Sequence, residues 1–391
     1  MFDAGKTLAA LEARRAGFSG AEAVSRADLE ALGRALAEMG NLGRAELEAR
    51  LPGKRAGARP TAEYDAYPTL VVPFAHRWQN HRQAREWAND VLSDVTTIAA
   101  DGSQITPSKE LSVPVGVVQV GWFENPHSTQ ARYIKDVQVE ILTPAELVGS
   151  DPEDDQASAF PDWRINMRRF TLEIKRLIEF MEAKARRRPS PLAFFDGSFI
   201  ISFAQHMQPN RQKLYSEAVR ALLEASERTG VPVVGYIDTS YATDIVEMIR
   251  HITGLSLTGR VSDGMMLSGK TVQWGERSPV FVCDRDDKLE DPFYNQVYFT
   301  YLKTTASSPP ARLDFPCWVY ESGEQERVID LVRAECVVGL GYPYALETAD
   351  AVAVLTMQDR ERFYRLFQRF AEGEGLKLRF SRKSVSKRGR R

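Results

Sequence analysis

Two aspartates stand in the same local setting. Asp101 opens Asp101-Gly102-Ser103 directly after Thr97-Ile98-Ala99-Ala100, and Asp196 opens Asp196-Gly197-Ser198 directly after Leu192-Ala193-Phe194-Phe195. Each short apolar run reads as a buried strand. Aspartate is disfavoured in strands, so one at the end of a buried strand calls for a reason. A local reason exists: Asp and Ser both cap nearby backbone N–H groups in turns. A chemical reason exists too. Hard divalent cations take oxygen ligands, and two or three carboxylates on neighbouring elements can share one or two such ions. In that reading each Gly-Ser pair ends its strand and clears room for a metal and a phosphate.

A third carboxylate is expected from the amphipathic helix between the two strands, Trp163 to Lys184. Its apolar stripe is Phe170, Ile174, Leu177, Ile178 and Met181. At about 100° per residue, Glu173 falls on the edge of that stripe and Glu179 on the opposite side. Glu182 takes the other edge, nearer the C-terminal end. Glu173 is therefore the candidate ligand; its competing reading is a helix Glu paired with Arg169 or Arg176.

Other chemistries find less support. The five histidines form no HxH, HxxxH or HExxH pattern and read as surface or packing residues. The absence of GxGxxG and GxSxG argues against a Rossmann enzyme or a serine hydrolase. Gly264 to Thr271 fits GxxxxGK[ST] by letter, but no buried strand precedes it and no convincing helix follows, so it reads as a chance match. Tyr298 to Lys303 and Arg312 to Pro316 read as paired strands rich in aromatic and basic residues. Such strands either stack bases and hold phosphates or form a half-buried face.

The elements that must position these residues are legible in outline. Residues 5 to 50 have helical spacing, and Pro52 to Pro60 reads as a linker. A helix at His81 to Leu92 precedes the first Asp-Gly-Ser strand. Strands at Val113 to Trp122 and Arg132 to Leu142 follow, joined like a hairpin by Glu124 to Gln130. The order strand, strand, strand, helix, strand predicts a mixed α/β sheet that begins as a meander. Three regions result: a helical appendage over 1–60, a main domain over 61–375, and a tail over 376–391. The net charge of −2 says nothing about partners, but the tail carries eight Lys/Arg from Lys377 onward and no acid. It suits a solvated terminus or a phosphate-tracking arm. Asp151, Glu153, Asp154 and Asp155 form an acidic loop. Cys283, Cys317 and Cys336 show no CxxC spacing, which fits a reducing cytoplasm. No leader pattern opens the chain and no run reaches ~18 apolar residues, so no membrane contact is expected.

Over about residues 70 to 372 the chain resembles the NurA family of DNA end-processing nucleases, the partners of the HerA translocase. The resemblance rests on Asp101-Gly102-Ser103 after an apolar strand, Glu173 in a long helix, and Phe195-Asp196-Gly197-Ser198. It rests also on Tyr298 to Lys303, Arg312 to Pro316 and Gly341-Tyr342-Pro343-Tyr344. It implies a ribonuclease-H-like core with flanking helices. It also implies Mn2+- or Mg2+-dependent cleavage of DNA, as a single-strand endonuclease and a 5′-to-3′ exonuclease on single- and double-stranded DNA ends in double-strand break repair. By the resemblance Asp101, Glu173 and Asp196 are metal ligands and Tyr342 contributes to catalysis. Lys303, Arg312, Tyr298 and Tyr301 are the expected DNA contacts. A homodimer docked on the hexameric HerA ATPase is also implied, with residues 1–60 the expected place for such contacts. One departure stands out: several relatives carry a histidine ligand in the helix after the Tyr-Pro block, where this chain has Glu347-Thr348-Ala349-Asp350. Asp350 is the candidate substitute, since a carboxylate suits Mn2+ or Mg2+. A non-catalytic DNA-binding adaptor of HerA is the alternative; retention of all three carboxylates favours the enzyme.

Overall fold

The computed structural model describes residues 2–53, 55–108, 111–148, 162–286, 289, 293–376 and 378. The acidic loop, and the basic residues of the tail from Lys377 onward, lie outside the described residues. The helices are α1 (Ala4–Glu12), α2 (Arg15–Met39), α3 (Arg44–Arg50), α4 (Glu63–Ala66), α5 (His81–Leu92), α6 (Pro144–Val148) and α7 (Trp163–Ala183). They continue with α8 (Pro209–Thr229), α9 (Asp244–Thr253), α10 (Asp263–Ser268), α11 (Cys317–Glu321), α12 (Gln325–Val338), α13 (Tyr344–Ala353) and α14 (Met357–Gly373). The strands are β1 (Gly57–Pro60), β2 (Thr97–Ile105), β3 (Gly116–Asn125), β4 (Ile134–Leu142) and β5 (Leu192–Asp196). After them come β6 (Val233–Ile237), β7 (Phe281–Asp284), β8 (Val297–Leu302) and β9 (Ala311–Pro316). None of these helices is long and apolar enough to cross a membrane.

The chain divides into two compact units, and one of them holds Arg82–Asp196, His206–Val234 and Glu326–Arg391. Its strands follow the order β5-β2-β3-β4. The pairs β2/β3 and β3/β4 are antiparallel, whereas β2 and β5 run parallel. This is the expected meander followed by a helix crossover, and the mixed sheet with helices on it is a ribonuclease-H-like core. Central strands buried on both faces need continuous apolar sequence. Ile98 to Ala100 and Leu192 to Phe195 supply it, and all are buried. Along α7, Ile165, Phe170, Ile174, Leu177 and Met181 form the buried stripe. Each such side chain contributes about 1.5–3 kcal/mol on burial.

The sheet's two faces are told apart by its glycines. A Cβ on Gly121 would stand 2.7 Å from the Ala353 backbone of α13, so α13 lies close against that face. A Cβ on Gly102 would meet α7 instead. Asp101 pairs with Gly121, and Gly102 is the next residue, so period-2 alternation puts α13 and α7 on opposite faces. Gln119 and Ser103 agree, bonding the Ala353 carbonyl (3.0 Å) and the Leu355 N–H (3.4 Å) beside α13.

The other unit holds Met1–His81, Gly197–Gln205 and Gly235–Gln325. Its strand order is β1-β7-β8-β9-β6, and every pair is antiparallel. Helices α1 to α3 fill the region read as helical. One expectation changes here. Gly57–Pro60, read as part of a linker, is an edge strand paired with β7. Arg59 secures it through Asp284, with Nε donating to Oδ2 at 2.8 Å. In the GxxxxGK[ST] match, Gly264 to Ser268 is helical within α10, whose N-cap is Ser262. A phosphate cradle needs a loop of free N–H groups there, so the match is coincidental, as its sequence context indicated.

Candidate active site

Strand register brings the two aspartates together. On the parallel pair β2/β5, Ala100 stands opposite Phe195, so Asp101 and Asp196 follow at the same level on neighbouring strands. Such strands lie about 4.8 Å apart. The two Asp-Gly-Ser elements are nonetheless built differently. β5 stops at Asp196, and the chain turns at Gly197 with φ 130°. β2 runs on to Ile105, so the first Gly-Ser does not end its strand, contrary to the sequence reading. Gly102 also does not leave open space. A Cβ there would stand 2.4 Å from Glu173 Oε1 and 2.6 Å from Arg169 Cγ, so the missing side chain is what lets α7 deliver a carboxylate onto the sheet.

Glu173 is only 7% exposed. Arg169 Nη1 donates to its Oε1 at 2.8 Å and to the Gly102 carbonyl at 3.2 Å. Glu173 is thus turned inward, as its place at the edge of the stripe indicated, and it is also paired with Arg169, though not as an exposed pair. Glu179 and Glu182 bond Arg176 and Arg228 away from the cluster, as their helical positions indicated.

The remaining candidates come from the other face. Tyr342, in the turn before α13, donates its hydroxyl to Asp196 Oδ1 at 3.4 Å. Asp350, exposed on α13, is near enough for its charge to act on both Asp101 and Asp196. Burial pushes the Asp101 carboxyl up to about 6, the Gly102 N–H opposes this, and the Asp196 and Asp350 charges add to the rise. Burial pushes Glu173 up to about 8 against the pull of Arg169. Asp196 is raised chiefly by burial, with its bond from Tyr342 opposing. Perturbed acids gathered in this way mark functional sites more often than scaffolding.

Among the described residues, no group of three or more His, Cys, Asp and Glu side chains is gathered so as to hold a metal ion. The donor set fits a hard cation all the same. Every candidate is a carboxylate, none is a thiolate or imidazole, and their charges outnumber the one guanidinium among them.

The four residues expected to contact DNA are placed otherwise. Lys303 is 5% exposed and its Nζ donates to the Ser308 carbonyl at 2.7 Å. Arg312 is 2% exposed, bonded to Asp314 Oδ1 (2.7 Å) and Asp244 Oδ2 (2.5 Å), and lies over the Phe299 ring. Tyr301 is fully buried, and its hydroxyl donates to Asp263 Oδ2 at 3.0 Å. Tyr298 is half-buried against Tyr320. Lys303 and Tyr301 have their partners inside the fold, whereas Arg312 keeps one nitrogen without a bond among the described residues and borders a cavity lined also by Arg55, Arg260 and Arg285.

A brace behind the site has no sequence signal. Glu335 of α12 is buried; its Oε1 accepts from Thr97 Oγ1 (2.8 Å) and lies 3.1 Å from His127 Nε2. Its Oε2 accepts from the Ala345 N–H at 2.9 Å. One carboxylate thus ties the start of the Asp101 strand to the first turn of the Asp350 helix.

A mixed sheet with helices on it, whose neighbouring strands β2 and β5 carry aspartates at the same level, is a ribonuclease-H-like core. The family model for the NurA domain matches residues 95–355, and the chain belongs to the NurA family, whose general role is that of a nuclease. A NurA crystal structure with manganese is 8% identical, covering 71% of this chain and 89% of that one, with a TM-score of 0.41. Another NurA structure is 7% identical over 70% and 88%, with a TM-score of 0.43. The catalytic domain of human Endonuclease V is 12% identical over 87% and 98%, with a TM-score of 0.32. No curated protein matches the chain.

Proposed function

We propose that this chain is a divalent-metal-dependent DNA nuclease acting at DNA ends, by single-strand endonuclease and 5′-to-3′ exonuclease cleavage. The observation that supports it is the excess of mutually repelling carboxylates, with Glu173 buried, Asp101 half-buried and Asp196 exposed, within the span matched by the family. Asp101 and Asp196 would hold Mn2+ or Mg2+, with Glu173 and Asp350 completing the shell. When bound, such an ion activates water and offsets charge on the phosphorane-like transition state and the leaving oxygen. The protein's own part is positional. Strand register fixes the two aspartates, Gly102 admits Glu173, and the Tyr342 hydroxyl orients the Asp196 carboxylate. Glu335 sets the helix that carries Asp350. Work with a HerA ATPase in double-strand break repair, as a homodimer in the cytoplasm, belongs to the same proposal and rests on family membership.

The test is cleavage of linear and nicked plasmid DNA with Mn2+, with and without EDTA. Asp196→Ala is expected to lower the rate at least ~100-fold while melting as the wild type does. Full Mn2+-dependent activity in that variant would refute the mechanism. Mn2+-independent DNA binding without cleavage by the wild type would point to an adaptor.

A further inference from the structure

Among the described residues Arg169 is the cation built into the carboxylate cluster, and its geometry differs from that of an ordinary helix salt bridge. An exposed pair four residues apart leaves both partners hydrated and contributes little. Here the acceptor, Glu173, is 7% exposed. The same Nη1 that bonds Glu173 also bonds the carbonyl of Gly102, the residue next to Asp101. Gly102 is in turn the position where a Cβ would collide with both side chains. The guanidinium is therefore pinned between helix and sheet, and its charge acts on Asp101 and Asp196 as well as on Glu173.

We infer that Arg169 is a resident counter-ion which a divalent cation must displace from Glu173, so that this arginine sets the metal affinity of the site. This rests on the proposed metal-dependent function. The physical basis is competition for one carboxylate oxygen. In the metal-free protein the guanidinium occupies Glu173 Oε1 through its 2.8 Å bond. A cation that takes Glu173 as a ligand replaces that charge-assisted bond and repels the arginine. Whatever free energy the pair contributes is lost from metal binding. By linkage, an anionic group that accepts the released guanidinium, such as a DNA phosphate, tightens metal binding.

The test is Mn2+ titration by calorimetry on the full chain without DNA, comparing wild type, Arg169→Gln and Arg169→Lys. Arg169→Gln is expected to bind Mn2+ about fivefold more tightly, since no cation competes for Glu173. Arg169→Lys keeps the charge but not the guanidinium fork, so its affinity should fall between the two. Equal or weaker Mn2+ binding by Arg169→Gln would overturn the inference. If that variant does not fold, the Lys variant decides, with affinity at or below wild type overturning it. Failure of the wild type itself to bind Mn2+ would refute the metal-dependent reading instead, which keeps the two outcomes separate. A purely structural arginine would lower the melting temperature without tightening metal binding.

Discussion

Each unit contains an ionic cluster, buried in one and open to solvent on one side in the other, and the two are balanced in opposite ways. In the antiparallel unit, Arg285 and Arg312 meet Asp244 and Asp314 through bonds of 2.5–2.7 Å. Burial would raise Asp244, but the two arginines more than reverse it and hold its carboxyl below the usual range. In the mixed-sheet unit the Arg169 charge acts on Asp101, Glu173 and Asp196, Asp350 adds a further negative charge beside the two aspartates, and burial lifts Asp101 and Glu173 instead. The balance belongs to Asp244, Asp314 and their two arginines; the neighbouring Asp263 is itself lifted to about 7 by burial and the Asp244 charge, and is held by the Val246 N–H and the Tyr301 hydroxyl. An unbalanced cluster retains carboxylates whose charge is offset only when something cationic arrives. Arginine and aspartate in the interior do not by themselves mark a site; the excess of one sign does.

The largest effect expected from this contrast is on stability. Asp244→Ala leaves Arg285 and Arg312 short of an acceptor and should cost about 3–5 kcal/mol in urea unfolding. Asp101→Asn, on the unbalanced side, should cost nothing comparable without metal. Similar losses in both would erase the distinction.

A smaller effect carries a pH signature. Glu173 has a folded pKa of about 8 against an ordinary 4.5, so the native state holds its proton over that interval and the unfolded chain does not. Metal-free stability therefore falls as pH rises from about 4.5 toward 8. Glu173→Gln should remove that loss, so its advantage over the wild type grows from nothing near pH 4 to its largest value at pH 8 and above. Melting curves of both proteins in EDTA across this range would show it; a gain independent of pH would contradict the assignment.

The smallest effect concerns the brace. Thr97→Val removes one donor to Glu335 and should cost about 1 kcal/mol. It should weaken Mn2+ binding only slightly, because the Ala345 bond remains. A tenfold loss of metal affinity would mean that the brace, rather than the carboxylates, governs the site.

Asp101, Asp196 and Glu173 were readable because their signal is local: an acid after an apolar strand, an acid at the edge of a helical stripe. Tyr342 and Asp350 were reached through their motif context, since nothing in their spacing reports a fold contact with β2 or β5. Arg169 was hidden because an Arg-Glu pair four apart looks the same in sequence whether it faces water or a sheet. Arg312 misled for a related reason. An aromatic and basic strand pair is compatible with stacking on bases or with a guanidinium lying on Phe299, and only burial separates them. Gly57–Pro60 has linker composition, and its strand pairing depends on Asp284, more than 200 residues away in sequence.

The parallel pairing of β2 with β5 also bears on how the chain acquires its activity. Asp101 and Asp196 are about 95 residues apart in sequence, whereas β2, β3 and β4 join through successive antiparallel turns. Contacts between distant segments close late, because their loop entropy must be met before they are rewarded. A chain with its meander formed and β5 not yet docked would hold Asp101 without Asp196. Any activity that needs both aspartates would then appear only with completion of the fold.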